Sequence, residues 1–224
     1  MNEERRVHVV GVEPEGPRPD YFPLATLLPR CGILAGGKRH IEALSDRLPE
    51  GARLVPITNN VPEILSVLED FVINPAGKIA VVLATGDPLY HGIGGPISRA
   101  ISREHVAYYP ATTLVQRAFS LLGEPWEDVQ VGSIHGKKED PILSPGRWIF
   151  YTGGSGGPAA LLEMAARQGF RIGEMTVLEG IGLPGQKVTS FRPPDPEKIR
   201  EGEFQTLNMV VMTVEKNRDG IQHI

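Results

Sequence analysis

The sequence contains one cysteine, Cys31, among its 224 residues. A single thiol excludes an internal disulfide and a cysteine-based metal cluster, and its apolar neighbours predict simple burial. No segment approaches the roughly 20 apolar residues of a transmembrane helix, and the opening residues, MNEERR, lack the apolar core of a signal peptide. We therefore expect a cytoplasmic protein of a reducing compartment that does not enter a membrane.

Basic residues are too few to suggest a nucleic-acid partner. The 23 lysines and arginines are outnumbered by 27 acidic residues, which gives a net charge of -4 and argues against binding to nucleic acid. The six histidines are scattered and show no H-E-x-x-H or similar spacing, so we predict no metal site.

Glycine and proline are plentiful, with 26 and 20 residues, so the chain should form many short elements joined by turns. In the first half, apolar strands such as KIAVVLA alternate with helices such as NNVPEILSVLEDFV. Asn60 is expected to cap that helix, and Pro62 suits its first turn. This alternation predicts βαβ units and a mostly parallel sheet, covered on both faces.

The second half is richer in strands and ends in one, at LNMVVMTVE. We therefore predict an α/β protein of two α/β domains, residues 1–112 and 113–224. The first should contain the mostly parallel sheet, and the second a more strand-rich mixed sheet.

Three glycine-rich turns follow predicted strands, at residues 11–16, 86–95 and 153–157. Ligands of open α/β sheets bind outside the carboxyl ends of the strands, where all three turns should lie. Each turn taken alone is also consistent with a simple tight turn. The third fits a dinucleotide fingerprint through Gly154, Gly156 and Ala159, with Glu179 as the following acid, although Pro158 interrupts the pattern. A nicotinamide oxidoreductase is thus one hypothesis.

Two basic clusters are candidate binding sites for an anion. Lys38, Arg39 and His40 open a predicted helix, and His135 is followed closely by Lys137 and Lys138 at the end of a strand. A pair of basic turns suits a small molecule with several carboxylates. Either cluster alone is equally consistent with ordinary solvated surface.

Several segments together resemble one family. VVLATGDPLYHGIG is similar to the G-D-P-x-(F/Y)-(Y/H)-G loop of the tetrapyrrole (corrin-pathway) methyltransferases, and VVGVEPEG stands where that family has V-G-x-G-P-G. The stretch YYPATTLVQRAFSLLGEPWEDVQVGSIHGK, with GGKRHIEAL, resembles the branch that methylates C5 of precorrin-6Y or cobalt-precorrin-7. Glu13 and Glu15 replace glycines of the family pattern, and Thr112 and Thr113 replace a serine pair.

The resemblance implies two α/β domains, a homodimer, and S-adenosylmethionine bound in the cleft between the domains. The 86–92 loop would wrap the methionine part of this cofactor, and Asp87 would hold the loop in shape or meet the cofactor's polar end. The cofactor-binding residues carried over by motif are Pro14, Gly86, Asp87, Tyr90, Gly92, Thr112, Thr113, Tyr151, Thr152 and Leu207.

The implied reaction is methyl transfer to a corrin-ring precursor at C5 in cobalamin biosynthesis. The substrate's carboxylates would meet Lys38, Arg39, Lys137 and Lys138, while His135 would touch the macrocycle or move a proton there. Bifunctional members of the family carry an additional C-terminal domain for C15 methylation and decarboxylation, so we expect a separate partner protein for that step. Methylation of another position or tetrapyrrole, and non-catalytic tetrapyrrole binding, remain alternatives.

Overall fold

The computed structural model describes residues 5–135, 139–154 and 156–217. The chain forms two compact units, Met1–Leu114 and Val115–Ile224. Each contains one five-stranded sheet, so the prediction of two α/β domains is confirmed. The predicted boundary, between residues 112 and 113, lies just before the division between these units. No helix in the described ranges is long and apolar enough to cross a membrane.

The first sheet is entirely parallel. Its strands are β1 (Val7–Val12), β2 (Cys31–Gly36), β3 (Arg53–Pro56), β4 (Ile79–Thr85) and β5 (Val106–Tyr109). They lie in the order β3-β2-β4-β1-β5, so the first strand of the chain occupies an interior position. Every strand therefore points its carboxyl end toward the same edge of the sheet.

Alternating residues of the interior strands pack against helices on both faces, as predicted. Ala80 and Val82 of β4 belong to one apolar cluster, which includes Ile64 of the helix after β3. Val81 and Leu83 belong to a second cluster on the opposite face. Because both sets are buried, the strand's continuous apolar run is explained by the helices on either side.

The helices of the first unit are short except for the one between β3 and β4. They are α1 (Leu24–Leu27), α2 (Lys38–Glu42), α3 (Val61–Ile73) and α4 (Gly94–Ala100), and α5 (Leu114–Leu122) follows them in the chain. Pro62 lies in the first turn of α3 as predicted. The predicted cap by the Asn60 side chain is wrong: its Oδ1 accepts a hydrogen bond from Thr58 N at 2.8 Å, so it is turned toward the preceding loop.

The second sheet is mixed. Its strands are β6 (Gln130–Ser133), β7 (Gly146–Tyr151), β8 (Phe170–Glu179), β9 (Lys187–Phe191) and β10 (Asn208–Lys216), in the order β6-β7-β10-β8-β9. Helices α6 (Gly157–Arg167) and α7 (Pro196–Glu201) belong to this unit. Its core joins Phe150, Met175 and Val210 of three neighbouring strands to Leu161 of α6.

Candidate functional site

Three loops of the first unit meet at the carboxyl edge of its sheet because β1 lies between β4 and β5. The Gly86 amide donates to the carbonyl of Val12 at 2.9 Å, and the Ala111 amide donates to the carbonyl of Gly86 at 3.3 Å. The turns after β1, β4 and β5 are thus joined through their backbones. This is the edge at which open α/β sheets bind ligands.

Glycine is required at two positions of this junction. A Cβ on Gly11 would lie 2.5 Å from the Ala111 amide nitrogen and closer still to the Gly86 carbonyl oxygen. Gly86 itself has a φ of 74°, in the left-handed region that disfavours other residues. The backbones of the three loops can approach one another, and a ligand can approach them, only because these side chains are absent.

The loop that follows Gly86 is shaped by its own polar groups. Asp87 Oδ1 accepts a hydrogen bond from the Leu89 amide at 2.8 Å, and the carbonyl of Asp87 accepts one from the Tyr90 amide at 3.1 Å. His91 has a φ of 54°, which is uncommon for a residue with a side chain. The Asp87 carboxylate therefore holds a turn, which is one of the two roles that the resemblance implied. Partial burial raises the pKa of Tyr90.

Glu13 provides a link that the sequence analysis missed. Its Oε1 accepts a hydrogen bond from the Thr112 amide at 3.4 Å, across 99 residues of sequence. The partly buried Glu13 thereby connects the turn after β1 to the segment after β5, while Glu15 is exposed. Pro14, between them, is buried. The sequence signal was the replacement of a family glycine by an acid, which marked the position without indicating its partner.

The first basic cluster contains two cations rather than three. Lys38 and Arg39 are exposed at the start of α2, directly after β2, and Lys38 Nζ lies 3.8 Å from Glu42. His40 is only 4% exposed, and its burial, followed by the neighbouring positive charge of Arg39, lowers its pKa. The imidazole is therefore neutral near pH 7 and adds no charge to the cluster.

In the second unit, His135 lies beside the glycine-rich turn that follows β7. A Cβ built on Gly153 would overlap the imidazole ring, so that ring packs directly on the Gly153 backbone. The His135 amide donates to Ser133 Oγ at 3.3 Å, and the side chain is exposed. The Tyr151 carbonyl accepts from the Ile134 amide at 2.9 Å, which joins the two strand ends. Lys137 and Lys138 lie outside the described residues.

A buried hydrogen-bond network fixes the loops at the end of the second sheet. Thr152 Oγ1 donates to Asn208, whose side-chain Oδ1 lies at 2.5 Å and whose carbonyl oxygen at 2.7 Å. The Asn208 amide group donates to the carbonyls of Gly154 and Gln205 at 2.9 and 2.7 Å. The Gly180 amide donates to the carbonyl of the exposed Leu207 at 2.8 Å. Thr152 and Leu207 are thus held by contacts that no local pattern predicted.

The nicotinamide hypothesis finds no support in the placement of Glu179. This side chain is 1% exposed, and its Oε1 accepts a hydrogen bond from the Gln205 amide at 2.8 Å. A ribose-binding acid must present its carboxylate to the ligand, whereas Glu179 supports the loop before β10. Within the ranges that the structure describes, no group of three or more metal-ligating side chains is found.

Comparison with known proteins identifies the family. The model of the Tetrapyrrole (Corrin/Porphyrin) Methylases matches residues 28–193, more than half of the chain. The chain therefore belongs to the tetrapyrrole methylases. The suspected family resemblance is confirmed.

Individual relatives support the same assignment. The chain is 32% identical over 170 residues to a precorrin-6Y C(5,15)-methyltransferase (decarboxylating) from Sinorhizobium sp, an alignment that covers 73% of this chain and 39% of the relative. The chain thus spans well under half the length of that relative. It is 27% identical over 189 residues to a cobalt-precorrin-7 C(5)-methyltransferase from Salmonella typhimurium, covering 80% of this chain and 87% of the relative.

A solved structure shares the fold. The chain superposes with a TM-score of 0.69 on the uroporphyrin-III C-methyltransferase of Thermus thermophilus, solved as a complex with S-adenosylhomocysteine. The two are 19% identical, and the match covers 93% of this chain and 97% of the other. At 19% identity this match shows only that the two proteins share a fold, and that fold is the predicted pair of α/β domains.

Proposed function

We propose that the protein is an S-adenosylmethionine-dependent C-methyltransferase that acts on a corrin-ring precursor in cobalamin biosynthesis. The position methylated is C5 of cobalt-precorrin-7 or precorrin-6Y. Support comes from family membership and from the two relatives whose names specify C5. The observation that carries the proposal is the backbone junction around Gly86, where three loops meet without side chains between them.

The residues of this junction suit the cofactor's polar end. S-adenosylmethionine supplies, when bound, a methyl group already activated by its sulfonium. The chain therefore needs to position two reactants and exclude water, and it needs no catalytic triad. The Asp87 side chain holds the turn after Gly86, and Thr112 and Thr113 carry hydroxyl groups in the segment that follows β5. Tyr90 adds a partly exposed ring.

The corrin precursor has many carboxylates, and exposed cations suit them. Lys38 and Arg39 lie at the end of β2, on the same sheet edge as the Gly86 junction. We assign them to the substrate's rim, together with Lys137 and Lys138, which stay predictions from the sequence. His135 is assigned to the macrocycle or to proton transfer, since its exposed ring is held against a fixed turn.

Incubation with corrin intermediates and methyl-labelled S-adenosylmethionine, followed by mapping of the labelled carbon, tests the proposal. Label at C5 is expected. Label on another carbon would favour the alternative position or tetrapyrrole, and binding of the tetrapyrrole without transfer would favour a non-catalytic protein. Calorimetric titration with S-adenosylhomocysteine and NADH adds an independent check, because binding of NADH alone would contradict the methyltransferase assignment.

The proposal extends to three properties, of which the first and third are implied by the family resemblance. These are a homodimer, a cytoplasmic location, and a separate partner for C15 methylation and decarboxylation. Light scattering on the purified protein, cell fractionation, and copurification with a C15-methylating protein test them in turn. A monomer at micromolar concentration would contradict the first.

A further inference from the structure

Glu13 places a carboxylate within the group of loops to which the proposed function assigns the cofactor. The preceding residue, Val12, accepts the backbone hydrogen bond of Gly86, and Glu13 Oε1 itself accepts from the Thr112 amide at 3.4 Å. Gly86 and Thr112 are in turn neighbours, since a Cβ on Gly86 would lie 3.5 Å from the Thr112 carbonyl oxygen. The Glu13 carboxylate therefore contacts Thr112, and the Glu13 backbone directly follows the residue that binds Gly86.

The charge of the cofactor changes during the reaction, which gives this carboxylate a specific use. S-adenosylmethionine carries a positive sulfonium, and the product S-adenosylhomocysteine carries a neutral thioether with the remaining groups unchanged. A fixed negative charge nearby attracts the first and is indifferent to the second. Both ligands carry the same hydroxyl and amino groups. A carboxylate that only accepted hydrogen bonds from those groups would bind both ligands equally.

We propose that Glu13 discriminates between cofactor and product by charge, favouring the sulfonium form over the thioether form. This inference rests on the proposed function. Glu13 is partly buried, so its field is less screened than that of the exposed Glu15 two residues later. The preference limits product inhibition, because spent cofactor is held less firmly than fresh cofactor at the same concentration.

The test is calorimetric titration of three ligands into wild-type protein, Glu13→Gln and Glu15→Gln. The ligands are S-adenosylmethionine, S-adenosylhomocysteine and sinefungin, which bears a protonated amine near the position of the sulfonium methyl. Glutamine keeps the acceptor oxygen for Thr112 and removes only the charge. Glu13→Gln should weaken the two cationic ligands about fivefold, equivalent to about 1 kcal/mol, and change the neutral ligand by less than twofold. Glu15→Gln, with the same change of net charge, should alter all three by less than twofold.

Other outcomes would overturn the inference, and they separate it from the proposed function. Equal weakening of all three ligands by Glu13→Gln would show that Glu13 contacts a group common to them. An equal loss of preference in Glu15→Gln would show a diffuse charge effect. Wild-type protein that binds none of the ligands would refute the proposed function itself. If Glu13→Gln does not fold, Glu13→Asp decides: retention of charge predicts retention of the preference, and its loss contradicts the proposal.

Discussion

Replacement of Gly11 by alanine should disrupt the junction of the three loops in the first unit. The added Cβ would lie 2.5 Å from the Ala111 nitrogen and 3.0 Å from the Pro110 carbonyl carbon, while ordinary contacts begin at 3.4 Å. The Gly86 carbonyl oxygen would be closer still, so the backbone must move by at least about 0.9 Å. Backbone cannot swing aside as a flexible side chain can, so the loops must separate.

The size of the effect follows from two contributions. Overpacking of this kind costs about 1–3 kcal/mol. Separation also weakens the bonds from Gly86 N to Val12 O and from Ala111 N to Gly86 O, each contributing about 0.5–1.5 kcal/mol. The sum is about 2–6 kcal/mol, a large part of the roughly 5–15 kcal/mol that stabilises a typical domain.

Urea unfolding measures this loss, with an expected fall in the midpoint of roughly 1–3 M at an ordinary denaturant slope. Under conditions where the variant is still folded, its affinity for S-adenosylhomocysteine should fall by at least about tenfold, or 1.4 kcal/mol. Gly95→Ala is the matched control, because its Cβ would meet only the flexible end of Arg99 at 3.6 Å. It should change stability by less than about 1 kcal/mol, in the stabilising direction, since Gly95 lies in α4. Equal stabilities for Gly11→Ala and wild type would refute the reasoning.

Three further predictions concern single side chains. Asp87→Ala removes the acceptor for the Leu89 amide and should raise the Kd for S-adenosylhomocysteine about tenfold. The Tm should change little because that hydrogen bond is solvent-exposed, and Asp87→Asn, which keeps an acceptor oxygen, should stay within threefold of the wild-type Kd. A large Tm loss with unchanged affinity would contradict this. The lowered pKa of His40 means that the unfolded chain binds a proton at this residue more readily than the folded chain does. His40 therefore lowers the stability of the fold as the pH falls below about 6.5. His40→Gln should flatten that part of a plot of unfolding free energy against pH, and an unchanged slope would contradict the prediction. Thr152→Val should cost about 1–3 kcal/mol in urea unfolding because it deprives buried Asn208 of a donor, and a cost below about 0.5 kcal/mol would show that the network tolerates the loss.

The sequence predicts most clearly the strands whose burial is continuous. Every residue from Ile79 to Leu83 is buried. A strand that is covered on both faces therefore appears in the sequence as a continuous apolar run. The edge strands β3 and β9 were missed, because most of their residues are exposed and their sequences, RLVP and KVTSF, show no clear alternation. The extended conformation of these two strands depends on pairing with a neighbouring strand, β2 for β3 and β8 for β9.

The sequence predicted those features of the candidate site that depend on residues close together in the chain. The glycine-rich turn at Gly86 and the shaping role of Asp87 depend on adjacent residues, which a motif records. The contact of Glu13 with Thr112 spans 99 residues, and that of Thr152 with Asn208 spans 56. Such distant pairs depend on strand order, which one sequence does not contain. The burial of His40 was missed for the same reason. Its polar side chain and basic neighbours predicted a position on the surface, whereas the packing of α2 buries it.

The interior position of β1 has a consequence for synthesis of the protein. This strand leaves the ribosome before its two neighbours, β4 and β5, which end at Thr85 and Tyr109. At ordinary translation speeds of roughly 5–20 residues per second, about 5–20 s pass between the synthesis of β1 and the completion of its second partner, β5. The sequence VHVVGV presents two unpaired edges until β4 is available, and one unpaired edge from then until β5 is available. Nascent chains of this protein should therefore depend on chaperones that shield short valine-rich segments, and slower translation before residue 109 would prolong the exposure.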